Sequence, residues 1–170
     1  MSPFDDECIR LAIQYSKVSL RCDGYTPFGA VVRLSGRMIG QAASAVILKT
    51  DPSAHAEVLA IREACENQGS HLLPGATLYC SAFPCPLCFM AARWAGITRI
   101  VYAATLEDSE SAGFEDSQFY TDLSTVWPMS PYRMIPASVE MISAGEVFRS
   151  HAAKVLRQWK ADWDRQNAGK

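Results

Sequence analysis

Apolar residues recur at helical spacing near the start of the chain. Ile9, Ala12, Ile13, Ser16 and Leu20 would share one face, which predicts a helix over residues 4–21. "CDGYTP" breaks that periodicity. "FGAVVRL" and then "GRMIGQAASAVI" read as two strands, and Ser35-Gly36 between them predicts a hairpin. "PSAHAEVLAIREAC" predicts a second helix, with Asp51 or Ser53 as its cap, Pro52 near its first turn and Gly69 near its end. "ATLYCSA" follows as a strand, "PCPLCFMAARWAG" as a helix and "TRIVYAAT" as a strand. "SVEMIS" adds a short fifth strand, and a terminal helix runs from Gly145 onward.

Helices alternating with the later strands favour a sheet with parallel members. The expected fold is α/β, a three-layer α/β/α sandwich around a mixed five-stranded sheet. At this length, residues 1–170 are expected to form one domain. Its terminal helix carries Arg149, Lys154, Arg157, Lys160 and Arg165, the pattern of a solvated face. Residues 103–132 change character: they hold six acidic residues and no Lys or Arg. That stretch is long for a plain loop, and such loops often carry function.

Composition then narrows the field. Hydrophobic residues make up 49% and charged residues 20%, an ordinary globular profile. A formal net charge of -2 leaves no basic excess for a phosphate backbone, which argues against a nucleic-acid partner. No stretch has the length and apolarity of a membrane span. The start, "MSPFDDECIR", has no basic segment followed by an apolar run. Six cysteines without a secretory signal point to the reducing cytoplasm, where they serve as core residues or metal ligands.

Two short motifs carry candidate chemistry. His55 and Glu57 stand two apart at a helix start, and Cys85 and Cys88 stand three apart at the next helix start, behind Pro84. Two thiolates and an imidazole are the ligands zinc prefers. Three protein ligands leave a fourth position for water, the catalytic type of site. Zinc lowers the pKa of such a water towards about 7, and Glu57 beside it would move protons rather than ligate. H-x-E followed by P-C-x-x-C is the zinc deaminase signature. A structural site would need a fourth ligand from His71, His151 or the spare thiols. Cys8, Cys65 and Cys80 fall on apolar faces and read as core. A zinc scaffold without chemistry is the rival class, and Glu57 argues against it.

The chain resembles the cytidine deaminase superfamily, and within it the guanine deaminase branch. "PFGAVV", "DPSAHAEVLAIREAC", "PCPLC" and "AGFEDSQFY" carry that resemblance in order. It implies Zn2+ on His55, Cys85 and Cys88, with Glu57 as proton shuttle. It also implies that Phe28 stacks on a base and that Asp116 binds polar edge groups of a purine. The N–H groups of Ala56 and Cys85 would contact the ring, and Trp94 would line or support the pocket. The expected partner is a small nucleobase or nucleoside, guanine first, with guanosine, cytosine, adenine or another aminated heterocycle as alternatives. A homodimer is implied, with residues 145–170 open to exchange between subunits. Transfer-RNA adenosine deaminases share the first three motifs but differ in the fourth. Three departures bear on the substrate: Ser44 stands where the family has a base-fixing asparagine, Phe83 replaces an acidic residue, and "WDRQNAGK" lacks a terminal tyrosine.

Overall fold

A computed structural model describes residues 2–126 and 139–168. Helix α1 (Pro3–Ser16) runs into a 3-10 turn (Lys17–Leu20). Strands β1 (Thr26–Leu34) and β2 (Arg37–Ser44) follow, then a short helix α2 (Val46–Lys49) and helix α3 (Ala56–Gln68). Strand β3 (Thr77–Ala82), helix α4 (Pro86–Trp94) and strand β4 (Arg99–Ala104) form a βαβ unit. Helices α5 (Leu106–Ser111) and α6 (Asp116–Val126), strand β5 (Glu140–Ser143) and helix α7 (Glu146–Asn167) complete the order.

The sheet has the order β2-β1-β3-β4-β5. β1 is antiparallel to β2 and β3, whereas β3, β4 and β5 run parallel, so the sheet is mixed as expected. The hairpin turns on Ser35 (φ 48) and Gly36 (φ 83), both left-handed, which is the two-residue turn whose twist suits a hairpin.

Alternation along the strands splits the core into two layers. Val31, Tyr79 and Val101 pack with Ile9 and Ile13 of α1 and Phe148 and Leu156 of α7. Ala30, Val32, Leu78 and Ile100 pack with Ala60, Ile61 and Ala64 of α3 and Ala92 of α4. Two glycines set how closely the helices approach. A Cβ at Gly29 would lie 2.2 Å from the Ala12 carbonyl oxygen, and one at Gly40 would lie 2.1 Å from that of Ala60. Glycine there lets backbone meet backbone, α1 on one face and α3 on the other. Helix α7 lies on the chain's own β4 and α1.

Three expectations need correction. β2 stops at Ser44 rather than reaching residue 47, because Ala45 N–H turns to the Ala54 carbonyl (2.9 Å) and Leu48 N–H to that of Gly24 (2.8 Å). The cap of α3 is His55, not Asp51 or Ser53. Asp51 instead accepts from the N–H and hydroxyl of Ser53 and closes a separate turn containing Pro52. The acidic stretch 103–132 is largely helical up to residue 126, with its remainder outside the described residues. Thr105 and Asp108 cap α5 reciprocally, and Arg149 of α7 holds Asp108 at 2.8 Å.

One buried carboxylate ties α1 to the sheet. Asp5 accepts from Tyr79 (2.6 Å), from both terminal nitrogens of Arg99 (3.0 and 3.2 Å) and from Ser2 N–H (2.7 Å). Burial alone would raise its pKa, but Arg99, Tyr79 and Ser2 together hold it well below the usual carboxylate range. A depressed folded-state pKa gives stability that is present above the unfolded value, about 3.9. That stability is lost as pH falls through the folded value. We expect Asp5→Asn to cost roughly 2–4 kcal/mol near neutral pH, because Arg99 loses its buried partner. Denaturant unfolding checks this. The gap between variant and wild type should stay constant above about pH 5 and narrow below about pH 4. A gap that does not change with pH would mean that the ion pair contributes nothing beyond packing.

Candidate metal and catalytic centre

Helices α3 and α4 bring their first residues together. His55 is the N-cap of α3 and Cys85 the N-cap of α4, and neither side chain caps its own helix. Pro86 takes the first helical position, where a missing N–H costs nothing, and Cys88 follows within the first turn. Phe83 N–H bonds the Ala104 carbonyl (2.9 Å), so the sheet holds the chain up to the start of α4.

The two sulfurs are 3.6 Å apart, and Nδ1 of His55 lies 3.6 Å from Cys85 Sγ and 3.4 Å from Cys88 Sγ. Tetrahedral zinc, with Zn–S near 2.3 Å and Zn–N near 2.0–2.1 Å, gives ligand-to-ligand edges of about 3.5–3.8 Å. The spacing and the soft donor set both fit Zn2+. Among the described residues, His55, Cys85 and Cys88 are the group of His, Cys, Asp or Glu placed to hold a metal ion.

Electrostatics point the same way. A hydrogen bond from Cys88, then one with His55, pulls the Cys85 thiol down to about 4 against the cost of burial. Cys88 is driven far up, first by Cys85 and then by burial. Two thiolates side by side in the interior need a cation, and metal ligation supplies one. His55 is raised, chiefly by its bond to Cys85. Glu57, in the first turn of α3, is buried, with Oε2 3.3 Å from Cys88 Sγ. Burial, and then Cys85, push its carboxyl up to about 7.

A cavity of about 240 Å3 opens on this centre, lined among others by Thr26, Phe28, Ser44, Glu57, Phe114 and Asp116. An apolar outer cavity of about 430 Å3 shares His55, Cys85, Asp116 and Phe119 with it and adds Pro52, Leu87 and Leu123. The β1–β2 ladder skips from Thr26 to Gly29, so Pro27 and Phe28 bulge out of register. Bulges of this kind re-aim side chains, and Phe28 reaches the cavity. Phe28 meets Phe114 edge-on at 4.8 Å, and Phe114 lies 5.4 Å from Trp159. Asp116 opens α6, its pKa raised by burial and then by Cys85. Tyr120 anchors that helix by donating to the Pro84 carbonyl at 2.6 Å.

The structure therefore groups His55, Glu57, Cys85 and Cys88, and sets Phe28, Ser44 and Asp116 around them. Ala56, the first residue of α3, is fully buried beside them in sequence. Trp94 is placed elsewhere: at the end of α4 it is 81% exposed and lines neither cavity. Helix α4 turns Cys88 and Ala92 inward, leaving Leu87, Met90 and Trp94 outward. Sequence reasoning missed Thr26, Phe114 and Phe119. Phe114 and Phe119 sit inside the motif "AGFEDSQFY", whereas nothing in spacing marks Thr26.

Comparison with known proteins adds a frame. The family described as the cytidine and deoxycytidylate deaminase zinc-binding region matches residues 2–104. Guanine deaminase from Bacillus subtilis is 41% identical over 111 residues, covering 62% of this chain and 71% of the relative. Its X-ray structure superposes with a TM-score of 0.67 at 36% identity, over 71% of this chain and 76% of that one. A tRNA-specific adenosine deaminase from Agrobacterium fabrum is 44% identical over 78 residues, 46% of this chain and 51% of that protein. A mutant protein crystallised in complex with 8-azaguanine gives a TM-score of 0.74 at 25% identity, over 93% of this chain and 85% of that chain.

Zinc analysis tests the centre. Protein purified without chelator should carry close to one zinc per chain. Cys88→Ala should lose most of it and melt earlier, because the metal binds the folded state and stabilises it by mass action. Full zinc occupancy with unchanged melting in Cys88→Ala would remove that residue from the ligand set.

Proposed function

The chain belongs to the zinc-binding cytidine and deoxycytidylate deaminase family, and on that premise we propose that it deaminates guanine, with His55, Cys85 and Cys88 holding Zn2+ and Glu57 moving the protons. The observation that carries this is the buried Glu57 carboxylate packed against the Cys88 sulfur while standing outside the ligand set. Bound zinc supplies a Lewis acid that lowers the pKa of water to about 7. Burial raises the Glu57 carboxyl, which suits a group that must both take and return a proton near neutral pH. Glu57 accepts a proton from the attacking water and delivers it to the ring nitrogen beside the reacting carbon; it then takes the proton of the newly added hydroxyl and gives it to the amine as the C–N bond breaks and the carbonyl forms. Guanine plus water gives xanthine plus ammonia.

Recognition falls to the cavity wall. Phe28, braced by Phe114, offers a flat apolar surface for the ring. Asp116 accepts from N–H groups of the base, and the N–H groups of Ala56 and Cys85, at helix starts, face the ring's polar edge. Similarity to the Bacillus guanine deaminase and to a protein crystallised with 8-azaguanine supports a purine. Similarity to tRNA adenosine deaminases raises a second reading. Against it, the described residues lining both cavities include no Lys or Arg, and they do include Asp116 and Asp122. A tRNA backbone would meet negative charge there.

A homodimer in the cytoplasm completes the proposal. Leu87, Met90 and Trp94, spaced along one face of α4, are 45%, 39% and 81% exposed, an apolar stripe suited to a second copy. None of the six cysteines is in a disulfide, Cys85 and Cys88 being committed to the metal, which suits a reducing compartment. Trp94→Glu should shift sedimentation towards the monomer; an unmoved dimer would place the interface elsewhere.

Ammonia release from guanine, guanosine, adenine, cytosine and a tRNA anticodon stem-loop tests the reaction. Guanine should be turned over fastest. Glu57→Gln should keep zinc and fold yet lose turnover by at least about 100-fold. Asp116→Ala should cost more on guanine than on a base lacking the 2-amino group. Near-normal turnover by Glu57→Gln would end the proton-shuttle role, and exclusive activity on the RNA would replace guanine as the substrate.

A further inference from the structure

We propose that Thr26 and Ser44 act as one recognition element, a hydroxyl pair that reads a ring edge presenting a hydrogen-bond acceptor beside a donor, such as the lactam edge of a purine. This rests on the deaminase reading above and names the part of the substrate that the reading leaves open.

The two residues face each other directly across the β1–β2 ladder, and Thr26 Oγ1 donates to Ser44 Oγ at 2.6 Å. Both line the inner cavity, and Ser44 is only 2% exposed. Among the described residues, neither hydroxyl makes another side-chain hydrogen bond. The pair holds two O–H protons and spends one on the mutual bond. Whichever way the two rotors turn, one proton and several lone pairs remain for a ligand. An acceptor oxygen and a donor hydroxyl thus sit side by side, the complement that a carboxamide side chain offers from one residue.

The rest of the cavity's polar side chains leaves a place for this pair. Glu57 and Asp116 accept when ionised, and His55, Cys85 and Cys88 are committed to the metal. Among the described lining side chains, the hydroxyl pair is then the source of an O–H or N–H donor for a substrate carbonyl. Both residues stand on paired strands, and the bulge that begins after Thr26 delivers Phe28 to the same cavity. Trp159 Nε1 fixes the approach to Thr26 by donating to the Tyr25 carbonyl at 3.1 Å. Thr26 thereby positions Ser44 as well as contributing its own oxygen.

The test uses zinc-loaded Glu57→Gln protein, which binds without turnover, and calorimetric Kd values for guanine and 2-aminopurine. 2-Aminopurine keeps the ring and amine but lacks the lactam edge. Adding Thr26→Val or Ser44→Ala should each weaken guanine roughly fivefold to tenfold and leave 2-aminopurine within about twofold. The combination should lose no more than the worse single change, because the two act as a unit. Thr26→Ser, which keeps the hydroxyl, should bind guanine within about twofold of the parent. Equal losses on both purines, fully additive losses or no loss would overturn the pair. Ammonia release by wild type is scored separately: guanine bound but not deaminated removes the proposed function and leaves the pair to be judged by the Kd pattern. A parent that binds neither purine overturns both.

Discussion

Two buried thiols 3.6 Å apart, with an imidazole nitrogen 3.4–3.6 Å from each, form the constraint on which the rest of the structure depends. Left to themselves they divide, one thiol pulled down and the other driven far up, because the interior does not tolerate two adjacent thiolates. A divalent cation removes the conflict. The cluster therefore links metal binding to the folded state, since the ligands come from helix starts that are 30 residues apart in sequence. It also explains an apparent local fault. N-caps favour Ser, Thr, Asp or Asn, whose side chains bond the first helical amides, and a missing cap costs about 1 kcal/mol. His55 and Cys85 occupy both caps and cap nothing. Local helix stability gives way to ligand placement.

That placement needs a rigid frame, and the sheet provides it. The parallel β3–α4–β4 unit delivers Cys85 at the carboxyl end of β3, the usual place for ligands in sheets with parallel strands. Helix α3 reaches the same end because Gly40 lets it press against β2 at backbone distance. The antiparallel hairpin then adds Thr26, Phe28 and Ser44 from the neighbouring strands. Each element is ordinary on its own. Their shared edge gathers His55, Cys85 and Cys88, the Glu57 carboxyl and the Phe28 ring around one small cavity.

Much of this was legible in the residues, and the reasons differ by element. The hairpin was readable because Ser35-Gly36 demands left-handed backbone and two apolar runs flank it. The metal triad was readable because ligand chemistry restricts residue types more tightly than packing does. The cap of α3 was misplaced because Asp51 and Ser53 have the right side chains for a cap but spend them on each other. Helices α5 and α6 were hidden by their acidity and lack of a long apolar period, although Thr105 and Asp108 carried a capping signal. Trp94 was assigned to the pocket by resemblance, whereas its phase on α4, shared with Leu87 and Met90, turns it outward. Thr26 was invisible because its importance comes from a cross-strand neighbour, and no single-chain spacing encodes that register.

The cavity also draws on parts of the chain beyond the family match. The family match ends at residue 104 and includes His55, Glu57, Cys85 and Cys88. Phe114, Asp116 and Trp159 lie beyond it, yet two of them line the cavity and the third braces it. Trp159 supports two sides of the cavity: its ring lies against Phe114, which packs on Phe28, and its N–H holds the carbonyl before Thr26. The terminal helix thus braces the cavity through Trp159 rather than standing apart from the fold. A fold arranged in this way can keep its zinc chemistry constant while the later segments and the hydroxyl pair change what is accepted. Ser44 stands where the family resemblance implies an asparagine, and Thr26 Oγ1 donates to its Oγ at 2.6 Å, so two hydroxyls rather than one carboxamide border the cavity on this edge.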